Sequence, residues 1–197
     1  MQKTLILATR NLYKQRELIE MLAPLEIAVK SLLDFPNCPE VEEDGLTFTE
    51  NAIKKARVTA QYCGLLSLAD DSGLEVKALG GQPGIYSARF AGVQGDDEAN
   101  NLKLLELMKN VPAESRQARF VCEIAVCEPD GRVRTVRGEC SGMIACEPKG
   151  KGGFGYDPLF IPEGYAQSFA ELAAEEKNRI SHRGRALQQL QRLLAGD

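Results

Sequence analysis

The clearest chemical demand in this chain comes from two adjacent carboxylates, Asp70-Asp71, which follow the short apolar run Leu65-Leu66-Ser67-Leu68-Ala69 and precede Ser72-Gly73. Carboxylates at the end of a buried strand are costly unless they are solvated, paired with cations or bound to metal. Successive side chains of a strand point to opposite faces, so the two acids have different surroundings and different roles. One can bind a metal or activate water while the other braces a backbone or a lysine. The plain alternative is an Asp cap on a turn before Gly73. Glu42-Glu43 supply a second candidate metal ligand from a distant segment, or else form a solvated acidic stretch that complements a helix dipole. His182 is the sole histidine. A histidine-rich transition-metal site is therefore excluded, and a catalytic metal would be held by oxygens, which favours magnesium or manganese.

Basic and glycine-rich segments offer complementary groups. Thr9-Arg10-Asn11-Leu12-Tyr13-Lys14 joins a first strand to a first helix, where N-terminal amides and a lysine can together hold a phosphate. It is not the G-x-x-x-x-G-K-[ST] loop, and an ordinary turn capped by Thr9 or Asn11 with Lys14 in solvent is the alternative. Lys54 and Lys55 are neighbours on a helix, so at most one of them points at a site. Gly152-Gly153-Phe154-Gly155-Tyr156-Asp157-Pro158 sets an aromatic among backbone amides, which suits stacking on a planar ring; a purely structural glycine loop competes with that reading. His182-Arg183 open the last helix and present donors at its positive end.

The elements that must position these residues follow from periodicity. Leu5 to Ala8 reads as a buried strand, and Asn11 to Leu22 as a helix with Leu18, Ile19 and Leu22 on one face. Thr47 and Glu50 form a capping box before a helix over Asn51 to Tyr62, which leaves Glu42 to Gly45 in a loop feeding that helix. The run Leu65 to Ala69 is a strand that stops at Asp70, and Gly80 to Gly95 is a long ordered loop. Asp96-Asp97 open a helix carrying Leu102, Leu105 and Met108. Arg119 to Cys127 and Arg132 to Ile144 make a hairpin around Pro129-Asp130-Gly131. The final helix has Leu187, Leu190 and Leu194 on one face and Ser181 as its N-cap. Strands and helices are mixed, no repeat is present and no linker separates independent halves. The expectation is one α/β (α+β) domain over residues 1–197, with a mixed sheet and two lobes around a cleft.

Bulk properties narrow the function classes. The chain has 197 residues, 44% hydrophobic and 26% charged, enough to bury a core without staples. Its six cysteines contain no C-x-x-C pair, so structural zinc is not expected and the thiols are read as reduced. The N-terminal apolar run is too short for a signal-peptide core or a membrane span, which places the chain in the cytoplasm with no membrane partner. A net charge of −4 argues against a stable nucleic-acid surface and leaves a small phosphorylated ligand open.

Six segments, taken in order, resemble the inosine and xanthosine triphosphate pyrophosphatases, which remove non-standard purine nucleotides from the pool. They are Thr9 to Lys14, Glu43 to Ala52, Ala69 to Leu74, Gly84 to Arg89, Gly152 to Pro158 and Ser181-His182-Arg183. The resemblance covers essentially the whole chain. It implies a long central mixed sheet flanked by helices, a cleft between two lobes, a homodimer, and magnesium-dependent cleavage of ITP, dITP or XTP to the monophosphate and pyrophosphate. Residue by residue, it implies phosphate contacts from Thr9, Arg10, Asn11, Leu12, Tyr13 and Lys14, and a second phosphate ligand in Lys55. It further implies a magnesium site at Glu43 and Asp71, with Asp71 also the general base and Ser72 a substrate contact. Phe154, Gly155, Tyr156 and Asp157 match the loop that stacks on the base and reads its edge, and Lys177, His182 and Arg183 match residues around the purine. Asp70 matches a conspicuous acidic neighbour. Arg10 departs from the small residue expected in its loop, which implies that its side chain points outward while the backbone serves the phosphates. A pyrophosphatase for pyrimidine or modified nucleotides, and a nucleotide-binding regulatory module without turnover, remain as rival readings.

Overall fold

The computed structural model describes residues 4–25 and 27–195, with side chains to residue 192. In chain order the elements are β1 (Thr4–Leu7), α1 (Leu12–Leu22), β2 (Ala28–Ser31), α2 (Phe48–Cys63), β3 (Leu66–Val76), α3 (Asp97–Met108), β4 (Gln117–Cys127), β5 (Val133–Ile144), β6 (Phe160–Pro162), α4 (Ala174–Ile180) and α5 (His182–Ala195). The strands form one six-stranded sheet in the order β2-β1-β3-β4-β5-β6. β1 runs parallel to β2 and to β3, with Ile6 opposite Lys30 and Ser67, while β6 is antiparallel to β5, with Ile161 opposite Met143. The sheet is therefore mixed, in an α/β arrangement.

The chain divides into two compact units, one made of Met1–Asp71, Cys122–Gly138 and Gly184–Asp197, the other of Ser72–Val121 and Glu139–Arg183. In the first, side-chain alternation along β3 sends Leu68 into a cluster with Leu18 and Leu22 of α1 and Leu187 and Leu190 of α5. The next residue, Ala69, joins Ala52, Ala56 and Ala60 of α2 instead. Small residues four apart let α2 lie close to the sheet on that side. In the second unit, Leu74 and Val76 pack with Leu104, Met108, Phe120, Phe160 and Phe169.

Several boundaries differ from the sequence reading. β3 does not stop at Asp70 but runs through Asp71, Ser72 and Gly73 to Val76, because Leu74 and Val76 continue the buried alternation beyond the acids. On α1 the buried stripe is Gln15, Leu18 and Leu22, so Ile19 falls outside it and is 47% exposed. On α3 the stripe is Asn100, Leu104 and Met108, which turns Leu102 to solvent. α2 begins at Phe48, directly after its Thr47 cap, and the side chain of Glu50 accepts from the amide of Leu46. β6 and α4 are short elements with no periodic signal of their own. Leu187 and Leu190 are buried as expected; the place of Leu194 on that face lies outside the described residues. No helix among the described residues is long and apolar enough to cross a membrane.

Candidate active site

The alternation that divides Leu68 from Ala69 also divides the two acids. Asp70, on the α1 side, is 1% exposed and pairs with Lys14 Nζ at 3.2 Å. Asp71, on the α2 side, accepts from Lys55 Nζ at 3.0 Å through Oδ1 and from Asn51 Nδ2 at 3.2 Å through Oδ2. Lys55 also donates to Glu43 Oε1 at 2.6 Å and to the carbonyl of Asp70 at 2.8 Å. One ammonium thus gathers Glu43 and Asp71 from separate segments. Its neighbour Lys54 turns away to Asp44 at 2.6 Å, and Glu42 is exposed, so Glu43 is the member of its pair that reaches the cluster.

The loop before α2 is set by a close approach. Asn51 Oδ1 accepts from the amide of Gly45 at 2.8 Å, and a Cβ on Gly45 would lie 2.6 Å from that oxygen. Asn51 therefore couples the Glu43 loop to Asp71. The sequence reading did not single it out, although its position four residues before Lys55 on the alanine face of α2 was an available signal.

Electrostatics separate the carboxylates. Burial pushes Asp71 above the ordinary aspartate range, and the attraction of Lys55 and Lys14 does not fully reverse it. Partial burial also acts upward on Glu43, but Lys55, through charge and hydrogen bond, outweighs it and leaves Glu43 below its usual value. Burial opposes the charge of Lys55, yet Asp71, Glu43 and Asp70 together push it well above an ordinary lysine. The ammonium stays protonated throughout the physiological range.

Among the described residues no three His, Cys, Asp or Glu side chains gather as a metal cluster. Glu43 and Asp71 nevertheless direct one oxygen each to a common point, marked by Lys55. Two carboxylates suit magnesium, which keeps several waters and takes further oxygens from substrate phosphates.

The segment before α1 is ordered largely by its own side chains. Asn11 caps α1 by accepting from the amides of Tyr13 and Lys14 at 3.0 and 3.1 Å, and Thr9 accepts from Asn11. Arg10 points outward and donates to the carbonyl of Cys38 at 2.8 Å. Leu12 and Tyr13 are exposed. Lys14 is the side chain that reaches an acid.

A second group surrounds Phe154. Its amide donates to Asp157 Oδ2 at 2.9 Å, and the same oxygen accepts from Lys177 Nζ at 2.6 Å. Lys177 Nζ lies 5.0 Å from the Phe154 ring centroid and Arg183 Cζ 5.8 Å from it, both within cation–π range. Arg183 is 1% exposed and donates to Ser72 Oγ at 3.0 Å. His182 stacks on Phe120 with centroids 4.7 Å apart. Ser72, Phe154, Asp157, Lys177, His182 and Arg183 are thus placed in one unit. Tyr156, expected in the same loop, instead enters the core, 4% exposed, with its hydroxyl on the carbonyl of Ser87. The apolar packing around β3 and α3 takes the ring, so its role there is to anchor the loop.

Gly153 makes the Phe154–Asp157 bond possible: its φ is +70°, and a Cβ there would lie 2.0 Å from Asp157 Oδ2. Gly153→Ala is expected to lower stability by about 2 kcal/mol, from left-handed backbone strain and the displaced carboxylate. Chemical denaturation read by circular dichroism measures it; an unchanged midpoint would contradict the contact.

Comparison with known proteins gives a consistent result. The chain is 57% identical over 190 residues to the dITP/XTP pyrophosphatase of Desulforamulus reducens, covering 96% of this chain and 94% of that protein. It is 55% identical over 183 residues to the protein of the same name from Geobacter sulfurreducens, covering 93% and 92%. Among solved structures, a HAM1 protein from Coxiella burnetii superposes with a TM-score of 0.89 at 42% identity over 100% of both chains. The Staphylococcus aureus Ham1 protein gives 0.87 at 41% identity, covering 98% and 99%. The profile of the Ham1 family matches residues 5–193, and with these relatives along nearly its full length, the chain belongs to the Ham1 family.

Proposed function

We propose that this protein hydrolyses non-standard purine nucleoside triphosphates, ITP, dITP and XTP, to the monophosphate and pyrophosphate, and so clears them before incorporation into DNA or RNA. The observation that carries the reading is the convergence of Glu43, Asp71 and Asp70 on Lys55 and Lys14. The names of the relatives, dITP/XTP pyrophosphatase, point to the same chemistry. In this reading the protein is a cytoplasmic homodimer, which light scattering of the purified chain would check.

Glu43 and Asp71 would hold magnesium, which would supply Lewis-acid stabilisation of charge on the phosphoryl oxygens. Asp71 accepts a proton from the attacking water. Lys14 and Lys55 stabilise the negative charge that builds on the phosphates. The bond from the α-phosphorus to the bridging oxygen breaks, and pyrophosphate leaves. Thr9 to Lys14 line the phosphate side chiefly through Lys14.

Phe154 stacks on the purine, while Gly155, Asp157, Lys177, His182, Arg183 and Ser72 surround its edge. Hypoxanthine and xanthine carry an oxygen acceptor at C6 where adenine has an amino donor. Donors from Arg183 or His182 therefore accept the first two and leave adenine unmatched.

The test is pyrophosphate release from inosine, xanthosine, adenosine, guanosine and uridine triphosphates, with and without magnesium. ITP and XTP are expected to exceed ATP by about a hundredfold or more in kcat/KM. Arg183→Ala should reduce that preference at least about tenfold while leaving the metal requirement in place. Equal rates on all five substrates would overturn purine selectivity, and an equal fall for every nucleotide in the variant would move Arg183 to the phosphate side.

A further inference from the structure

The loop around Phe154 is held from outside as well as from within, by a helix that none of the motifs included. Asp97, the first residue of α3, accepts from the amide of Gly155 at 2.7 Å. Asn101, one turn on, donates through Nδ2 to the carbonyl of Gly155 at 2.8 Å. Residues four apart share one helix face, so a single rigid element grips Gly155 on both sides of its Cα. Gly155 sits at φ +61°, and hydrogen bonds to the peptide groups on either side of it keep that conformation in place.

The consequence falls on Phe154. The peptide before its Cα is fixed by Asp157, which accepts from the Phe154 amide, and the peptide after it is fixed by Asp97, which accepts from the Gly155 amide. Both are hydrogen bonds to carboxylates, about twice as strong as neutral ones. With both flanking peptides held, the position of the Phe154 Cα and the direction of its Cα–Cβ bond are set.

Capping does not explain Asp97. The cap of α3 is Asp96, whose side chain accepts from the amide of Ala99 at 3.0 Å. Asn101 keeps its place at a cost, because its Oδ1 is buried and accepts no hydrogen bond. The same turn of α3 also fastens the preceding loop, since Asn100 Oδ1 accepts from the amide of Ala91 at 2.7 Å.

We propose that Asp97 and Asn101 are positioning residues for purine recognition: by gripping Gly155 from α3, they fix where Phe154 presents its ring to the base. This rests on the reading of Phe154 as the base-stacking residue. Neither side chain needs to touch the nucleotide, and neither serves the lysine–carboxylate group, so their effect belongs to binding of the base and not to the chemical step.

The experiment is steady-state kinetics with ITP on the full chain for Asp97→Ala, Asp97→Asn, Asn101→Leu, Phe154→Ala and the Asp97→Ala/Phe154→Ala double variant, with melting temperatures alongside. Asp97→Ala and Asn101→Leu are expected to raise KM about tenfold, equivalent to about 1.4 kcal/mol, with kcat and the magnesium concentration for half-maximal rate within about twofold of the starting protein. Asp97→Asn retains an acceptor for the Gly155 amide and should recover most of the loss. Phe154→Ala should raise KM by itself, and adding Asp97→Ala should then change little, because the positioning has nothing left to position. A full additional KM effect in the Phe154→Ala background would overturn the inference, as would a loss of kcat that tracks melting temperature. If Phe154→Ala raises KM and Asp97→Ala and Asn101→Leu do not, the positioning role alone fails. If Phe154→Ala leaves KM unchanged, the base-stacking reading fails and takes the inference with it.

Discussion

Asp71→Asn is expected to fold with some loss of stability, because it weakens the buried pair with Lys55, and to lose about a thousandfold or more in kcat, since in the proposed mechanism one substitution removes both a metal oxygen and the proton acceptor. The fold should survive because burial already disfavours the ionised form of Asp71. An amide of the same shape can still accept from Lys55, which keeps Glu43 as its charge partner, while the bond that Asp71 Oδ2 accepts from Asn51 is lost. The upward shift also fixes the sign of the pH dependence. A carboxylate must be deprotonated to bind metal, so magnesium affinity is lost as pH falls through the Asp71 pKa. That loss should set in at a higher pH than an ordinary aspartate would give. Magnesium titration of turnover at several pH values measures both effects. A variant that keeps more than about a tenth of the wild-type kcat would remove Asp71 from the centre of the chemistry.

Lys55→Met carries the largest expected stability effect. The Lys55 ammonium is charge partner to Asp71 and Glu43 and donor to the Asp70 carbonyl, all of them partly or fully withdrawn from water. Methionine has comparable length and no charge, so the carboxylates lose their compensation. Breaking a buried pair by removing one partner typically costs about 3–5 kcal/mol. Magnesium, as a cation for the same carboxylates, should restore part of that loss, so the variant's melting temperature should respond to magnesium more than the wild type's. A fall in kcat/KM of about a hundredfold or more is expected with it. Thermal melts with and without magnesium are the check; equal stability of variant and wild type without metal would show that Lys55 is not the electrostatic hub.

How far the sequence revealed these groups depended on the range of the interaction. The division of Asp70 from Asp71 follows from strand alternation and needed no tertiary knowledge. That at most one of Lys54-Lys55 faces the site follows in the same way, since adjacent helix positions diverge; it was the family resemblance that singled out Lys55. The Thr47 cap and the α2 segment were readable from a local pattern. The end of β3 was misplaced because carboxylates look like a strand terminus until their partners are known; Lys14, Lys55 and Asn51 come from other segments and allow the strand to continue. Ile19 and Leu102 fit a helical period but not the particular stripe that tertiary packing selected. Tyr156 shows the same limit. Its place among loop residues gave no sign that the ring turns inward to the core while Phe154, two residues earlier, remains beside Lys177 and Arg183. Asp97 and Asn101 were invisible as site residues because their partner, Gly155, lies more than fifty positions away and a backbone amide leaves no mark in a sequence pattern.

The most direct test of the account is hydrolysis of ITP in ¹⁸O-labelled water with magnesium, with every product identified by mass. Attack by water on the α-phosphorus predicts inosine monophosphate carrying the label, unlabelled pyrophosphate and no inosine diphosphate. Label in pyrophosphate, or formation of inosine diphosphate with orthophosphate, would place the reaction at another phosphorus and contradict the assignment of Asp71, Lys55 and Glu43.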